Sequence, residues 1–185
     1  MDTEEILRRE QPGKELLQKL TRVASDTQKQ LKDYKATQEN VRTIACKAYR
    51  TAAQTIANAT GVAVQFAAVE YDTDTHWSSG DNTKITIKYT GIYRVTFGFY
   101  FDYNNTGGRY GIVNKNAALE ILSAGSPAVS GDSIGYRTTG SNDSLLTAGD
   151  YIQLVLYQTS GGNVNTSTAG VNYPVYLSVR RVGKT

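Results

Sequence analysis

The run Tyr89-Thr90-Gly91-Ile92-Tyr93-Arg94-Val95-Thr96-Phe97-Gly98-Phe99-Tyr100-Phe101-Asp102-Tyr103 constrains this chain more than any other stretch. Thr90-Gly91 marks a turn, and a long strand leaves it. Tyr93, Val95, Phe97, Phe99, Phe101 and Tyr103 share one parity, so in a strand they line one face. The other face reads Arg94, Thr96, Gly98, Tyr100 and Asp102. It is mixed, with a Gly and a Tyr where a solvated strand would carry Lys or Glu. Such a strand calls for a second sheet on its apolar face and offers its half-apolar face to a neighbouring subunit. Thr96, Gly98 and Tyr100 are the candidate interface residues.

Composition divides the rest of the chain. Residues 1–50 hold eleven Lys/Arg against eight Asp/Glu and a single Gly; residues 51–185 hold nine against nine and are rich in Gly, Thr, Ser and Tyr. That shift predicts a charge-dense N-terminal segment followed by one domain of ordinary size. The lone Cys46 leaves no internal disulfide framework, so stability must come from packing or oligomerisation. No apolar run approaches the roughly 18 residues of a membrane span. Met1-Asp2-Thr3-Glu4-Glu5 lacks an apolar stretch after it, so no secretory signal is expected.

Residues 1–13 read as a short arm that Pro12-Gly13 stops, an attachment segment that orders on docking to something larger. Residues 14–38 contain no Gly after position 13 and no Pro, and favour helix. Leu17, Leu20, Ala24, Thr27, Leu31 and Tyr34 are spaced 3, 4, 3, 4, 3, which is an a/d heptad seam. About three heptads make a marginal helix alone, so parallel copies are expected, held together by the domain that follows.

From residue 39 onward no helical period persists. Val41–Arg50 alternates and is the expected first strand; Val62–Phe66 is a second. Glu70–Asn82 reads as an acidic turn. Strands are then expected at 84–89, 91–103, 110–113, 117–122, 133–147, 151–158 and 173–182, with turn residues between them. Long Gly/Asn/Ser loops are expected at 104–108, 123–132 and 159–172. Asn105, Arg109, Asn163 and Asn165 are the candidate ligand-binding residues of these loops.

Chemistry is sparse. No Ser has a nucleophile elbow around it, and the single His76 lies in a hydrophilic turn, so no enzyme is expected. Gly107-Gly108 and Gly161-Gly162 are followed by no Lys-Ser/Thr, so they are not phosphate loops. Asp72, Asp74 and His76 alternate and could converge on a metal at a symmetry axis; the competing reading is a turn whose side chains cap backbone amides. No other cofactor is implied. Basic residues do not interleave with aromatics, which argues against nucleic acid.

Three motifs together resemble a known family. Thr90-Gly91-Ile92-Tyr93 after the Ile85/Ile87 strand, Leu145-Leu146-Thr147-Ala148-Gly149-Asp150-Tyr151-Ile152-Gln153-Leu154, and Tyr176-Leu177 are similar to the tumour necrosis factor-like jelly roll. The globular head of the first complement subcomponent is the nearest form. Ala48–Ile56, Ala63–Phe66 and Tyr71–Asp74 resemble heads at the C-termini of tailed-bacteriophage fibre, spike and minor virion proteins. The resemblance implies an all-β, ten-stranded antiparallel jelly roll, a tight homotrimer and a trimeric stalk before it. In such a roll both termini of the head share one end, which puts loops 104–108, 123–132 and 159–172 together at the other, as a distal tip. No Gly-X-Y collagen repeat is present, which sets the chain apart from vertebrate adaptors. The expectation is a non-enzymatic virion protein divided into an arm (1–13), a coiled-coil stalk (14–38) and a head (39–185). The arm would bind a capsid or tail protein. The alternatives are a receptor-binding protein for a host surface glycan and a secreted ligand of the complement or necrosis-factor type.

Overall fold

The computed structural model describes residues 3–41, 43–128, 135–167 and 175–185, and the side chains of these except in 3–12, 38–41 and at Ser126. Two compact units, residues 1–42 and 43–185, make up the chain. The first is one helix, α1 (Thr3–Val41), 39 residues and about 58 Å long. It corrects two expectations. It passes through Pro12-Gly13, which was to stop it, and it reaches Val41, where the first strand was to begin. Proline removes one N–H and crowds one carbonyl, a local penalty of about 3 kcal/mol. Helix propagation on both sides is cooperative, and the flanking Glu, Lys, Leu and Gln residues favour it.

Among the described residues the second unit holds twelve strands: β1 (Ala45–Arg50), β2 (Thr55–Ile56), β3 (Val62–Ala63), β4 (Ala68–Asp72), β5 (Ile85–Thr86), β6 (Gly91–Phe101), β7 (Gly108–Lys115), β8 (Leu119–Pro127), β9 (Tyr136–Leu146), β10 (Tyr151–Gln158), β11 (Val164–Asn165) and β12 (Val175–Gly183). Ten of them form two sheets of five. The first sheet runs β4-β1-β12-β6-β9; the second runs β3-β10-β7-β8, with β5 also on β10. β2 and β11 make a small separate pair. All the ladders are antiparallel.

β6 is the spine of the first sheet. Tyr93, Val95, Phe97, Phe99 and Phe101 are buried, as their parity demands. All four phenylalanines of the chain, Phe66 included, lie in this core. Each contributes about 1.5–3 kcal/mol through burial. Tyr103 departs from the pattern: β6 ends at Phe101, and Tyr103 is exposed. Facing β6 are Ile152, Leu154 and Leu156 of β10 and Val113 of β7. The Tyr93 hydroxyl donates to the Tyr89 carbonyl at 2.7 Å, so this buried phenol is satisfied.

Register shows how the sheets interlock. Phe97 pairs with Gly140 within the first sheet. A Cβ at Gly140 would lie 2.6 Å from the Phe97 ring, and one at Gly111 in the second sheet would lie 2.5 Å from Phe97 and 2.7 Å from Phe99. The rings occupy the space that side chains at these two positions would need. Replacing Gly111 with Val should lower stability by about 1–3 kcal/mol through overpacking. Urea unfolding checks this, with a lower midpoint and an unchanged slope expected.

Candidate functional site

Three regions hold the residues singled out from the sequence. The first is the turn after β4. Asp72 pairs across strands with Cys46. Its Oδ1 accepts from the amides of Asp74 (3.2 Å) and His76 (2.9 Å) and lies 3.0 Å from His76 Nδ1; its Oδ2 accepts from the Trp77 amide at 3.0 Å. Burial alone would raise this carboxyl, but the His76 and Trp77 amides, the His76 ring and the Asp74 amide together hold it below the usual carboxylate range. Burial first, then the Asp72 charge and a hydrogen bond to it, push the Cys46 thiol well up, so it is an inert core group.

The Asp74 carboxylate does not join this cluster. It accepts from Thr73 Oγ1 (2.8 Å) and Tyr89 OH (3.2 Å). The three candidate ligands are therefore split. Asp72 and His76 meet, Asp74 turns aside, and among the described residues no three His, Cys, Asp or Glu side chains are grouped to hold a metal. The carboxylate caps backbone amides, and His76 is buried rather than solvated. The contact with Cys46 had no signal in the sequence.

The second region is the outward face of the first sheet. Thr96 Oγ1 lies 3.0 Å from Ser141 Oγ. Gly98 is covered by the Tyr176 ring of the same chain, which a side chain at 98 would displace. Lys47 sits 4.9 Å above that ring and also pairs with Glu70 at 2.6 Å. Tyr100 is half-buried with the Arg137 guanidinium 5.3 Å from its ring centre. Arg94 donates two hydrogen bonds to Asp143, both 2.9 Å. Ile92 and Leu145 are cross-strand partners and both are exposed, as is Val182 on β12. These three apolar side chains were not among the sequence candidates; their parity with Thr96 and Tyr100 is the signal that marks Ile92.

The third region is the end of the sandwich where β6 finishes. The Asp102 amide donates to the Asn165 carbonyl (2.9 Å), Ala128 to Gly107 (2.7 Å) and Thr159 to Gly108 (3.2 Å), so segments 102–107, 127–128 and 159–165 meet there. Two loop boundaries change. β8 continues to Pro127 inside the expected loop 123–132, and β11 lies inside the expected loop 159–172. Residues 129–134 and 168–174 fall outside the described residues. Asn105 and Asn163 are exposed, and Asn165 accepts from Thr55 Oγ1 at 2.8 Å while remaining exposed.

Arg109 requires a correction: it is fully buried and cannot meet a ligand at the surface. Its guanidinium donates to the carbonyls of Thr106 (3.0 Å), Gly108 (2.9 Å) and Asn104 (3.2 Å) and stands 5.7 Å from the Phe101 ring centre. Burial pulls its pKa down, against an opposing contribution from Tyr136. Arg109 is an internal clamp on loop 104–108.

The seam residues lie on α1. Leu17, Leu20, Leu31 and Tyr34 each expose more than half their surface, joined by Leu16 and Val23. Ala24 and Thr27 are exposed too, and the Thr27 hydroxyl donates to the Val23 carbonyl at 2.8 Å. The candidate attachment segment is helical from Thr3, but the side chains of 1–12 lie outside the described residues.

The near end explains one sequence motif. Gly149 adopts φ +94°, and Asp150 accepts from the Thr147 amide (2.7 Å), from Asn116 Nδ2 (2.8 Å) and from Lys115 Nζ (2.8 Å). The Leu-x-x-Gly-Asp run therefore ties two turns, 147–150 and 115–118, with one carboxylate. Against solved structures the head is similar to murine APRIL (12% identity, 76% of this chain and 100% of that one, TM-score 0.57). It is also similar to an Eiger TNF from S. frugiperda (13%, 77% and 94%, TM-score 0.52) and to the globular domain of a zebrafish complement 1qA protein (15%, 73% and 94%, TM-score 0.50). The fold is a tumour necrosis factor-like jelly roll. No family model matches the chain, and no curated protein matches its sequence.

Two predictions follow from the polar contacts of this jelly roll. The folded Asp72 carboxyl titrates below its unfolded value of about 3.9, so its contribution is complete above that pH and is lost as pH falls through the folded value. Asp72→Asn should cost about 1–3 kcal/mol at pH 7 and flatten the acid loss of stability, as read by urea midpoints from pH 7 to 2.5. Arg109→Met should cost on the order of 2 kcal/mol and raise hydrogen exchange at 104–108 ahead of the core strands.

Proposed function

We propose that this chain is a non-enzymatic, trimeric structural protein of a bacteriophage particle: a head fibre, a decoration spike or a short tail-associated fibre. The helix would serve as stalk, its N-terminal end as attachment to a capsid or tail protein, and the jelly roll as projecting head. One observation carries the reading. A 39-residue helix with its apolar stripe in solvent adjoins, in sequence, a head that exposes Ile92, Leu145 and Val182 on one sheet. Leucines at a/d spacing are stable in water only when packed against other helices, and three short heptads need a head that trimerises with them. The likeness of Ala48–Ile56, Ala63–Phe66 and Tyr71–Asp74 to phage virion heads supports placing the trimer on a particle.

A second reading, recognition of a cell-surface glycan by the head, is favoured by the gathering of segments 102–107 and 159–165 at one end of the sandwich. Rigid scaffolds commonly carry their binding residues on such loops.

Light scattering on a sizing column should give three times the 20.2 kDa chain mass. Tyr100→Glu and Leu145→Glu should each yield a smaller species that keeps its β-sheet circular dichroism. A wild-type monomer overturns the trimer. Absence of the chain from purified particles, by mass spectrometry, overturns the virion reading while leaving the trimer intact.

A further inference from the structure

The outward face of the second sheet carries a groove of about 490 Å³ over β7, β8 and β10. Tyr110 and Tyr157 are cross-strand partners at one end, with ring centres 6.1 Å apart and tilted 49°. Gly125 lies opposite Tyr110, and a Cβ there would stand 2.5 Å from the Tyr110 ring. Glycine is what lets that ring lie low. Ile112 lines the middle, with Ser123 opposite it in register. Glu120 lies opposite Asn114 at the other end. Four residues separate Tyr110 from Asn114, about 13 Å of strand. The groove therefore has an aromatic end and an acidic end, at the spacing of an elongated ligand rather than a single ion.

Three half-buried rings of the head are covered by the chain's own cations: Lys47 over Tyr176, Lys84 over Tyr151 (4.7 Å) and Arg137 over Tyr100. The rings of the groove are not: among the described residues no cation stands over Tyr110 or Tyr157, and the exposed Glu120 carboxylate has no ion-pair or hydrogen-bond partner. No Lys or Arg lines the groove, which disfavours anionic ligands. A volume of this size is in the usual range of small-molecule sites, roughly 300–1,000 Å³.

We propose that this groove binds a short amino-sugar chain, about two rings long, with one pyranose on Tyr110 and Tyr157 and a free ammonium at Glu120. A sugar ring presents C–H bonds on its face, which pack on a tyrosine, and hydroxyls at its edge, which reach the tyrosine and Ser123 hydroxyls. Its protonated amine completes the unpaired carboxylate. A lysine peptide would also satisfy the acidic end, and β8 is the edge strand of its sheet. The two neighbouring tyrosine rings favour the C–H faces of a sugar, and the peptide is an outcome of the test. The proposal rests on the glycan-recognition reading, names its ligand class and moves the site from the loop end to the face of the second sheet.

The test is calorimetric titration of the full chain at pH 6. The ligands are the β1,4 disaccharide of glucosamine with both amines free, its N,N′-diacetyl form, and a lysine-containing tripeptide. The free-amine disaccharide should bind saturably and at least tenfold tighter than the other two. E120Q, a change at an exposed position, should reduce it to the level of the diacetyl form, and Y157A should weaken both sugars. No saturable binding by wild type, equal binding of the acetylated sugar, an unaffected E120Q, or a tripeptide that binds as well each overturns the proposal. Whole-cell binding lost on shortening loop 159–165 but unchanged in E120Q would overturn the groove and leave glycan recognition standing.

Discussion

The rings of Phe97 and Phe99 resting on the bare backbone of Gly111 hold the two sheets in register with each other. Packed sheets stand about 10 Å apart, and large side chains on one must meet small ones on the other. β6 carries the large set between β12 and β9, and Gly111 and Gly140 supply the small. Phe97, Phe99 and Phe101 touch in sequence, stacked and then edge-on, so a shift of one ring is passed to the next. Both ends of the sandwich take their positions from this strand. Tyr93 anchors the turn at Tyr89, while the carbonyl of Tyr100 receives the Ser167 amide.

The buried and half-buried polar groups are largely committed to holding backbone. Asp72 and Asp150 gather amides and side chains at one end, and Arg109 gathers three carbonyls at the other. A carboxylate that accepts several amides is stabilised as the anion and is a poor proton acceptor for chemistry near neutral pH. Asp72 and Arg109, which stand out in sequence as candidate ligand or contact, are structural because most of their lone pairs and donors are turned to backbone. The surface is then where recognition has to be sought.

How much of this was legible depends on what each residue had to satisfy. The inward face of β6 was plain because five alternating large apolar residues admit one solution. The Gly149-Asp150 turn was legible as a motif, since a left-handed glycine and a capping aspartate have few substitutes. β4 was hidden because Glu70, Tyr71 and Asp72 read as a turn, and as an edge strand it needs little apolar content. The faces of β7 were not legible. Alternation sets Tyr110 and Ile112 against Arg109, Gly111 and Val113 without naming the core side. The core side is the second set, since Phe97 and Phe99 demand the glycine and Phe101 accepts the arginine. An apolar outward face is the cost of that arrangement, and it is what creates the groove.

The two outward faces are thus unlike in a way that matters for assembly. On the first sheet, Tyr100 and Tyr176 carry cations from their own chain toward one end, and Ile92, Leu145 and Val182 stand exposed toward the other. On the second, two tyrosines and a carboxylate have no such partners. A head that gives its first sheet to copies of itself keeps the second free, so a trimer would present three identical grooves outward. Sites held on one rigid particle bind a repeating polymer with an effective concentration set by their spacing, and avidity can exceed single-site affinity by roughly 10²–10⁴. A shallow groove of weak intrinsic affinity is then sufficient, which removes any need for the deep, enclosed pocket that a solitary binding domain requires.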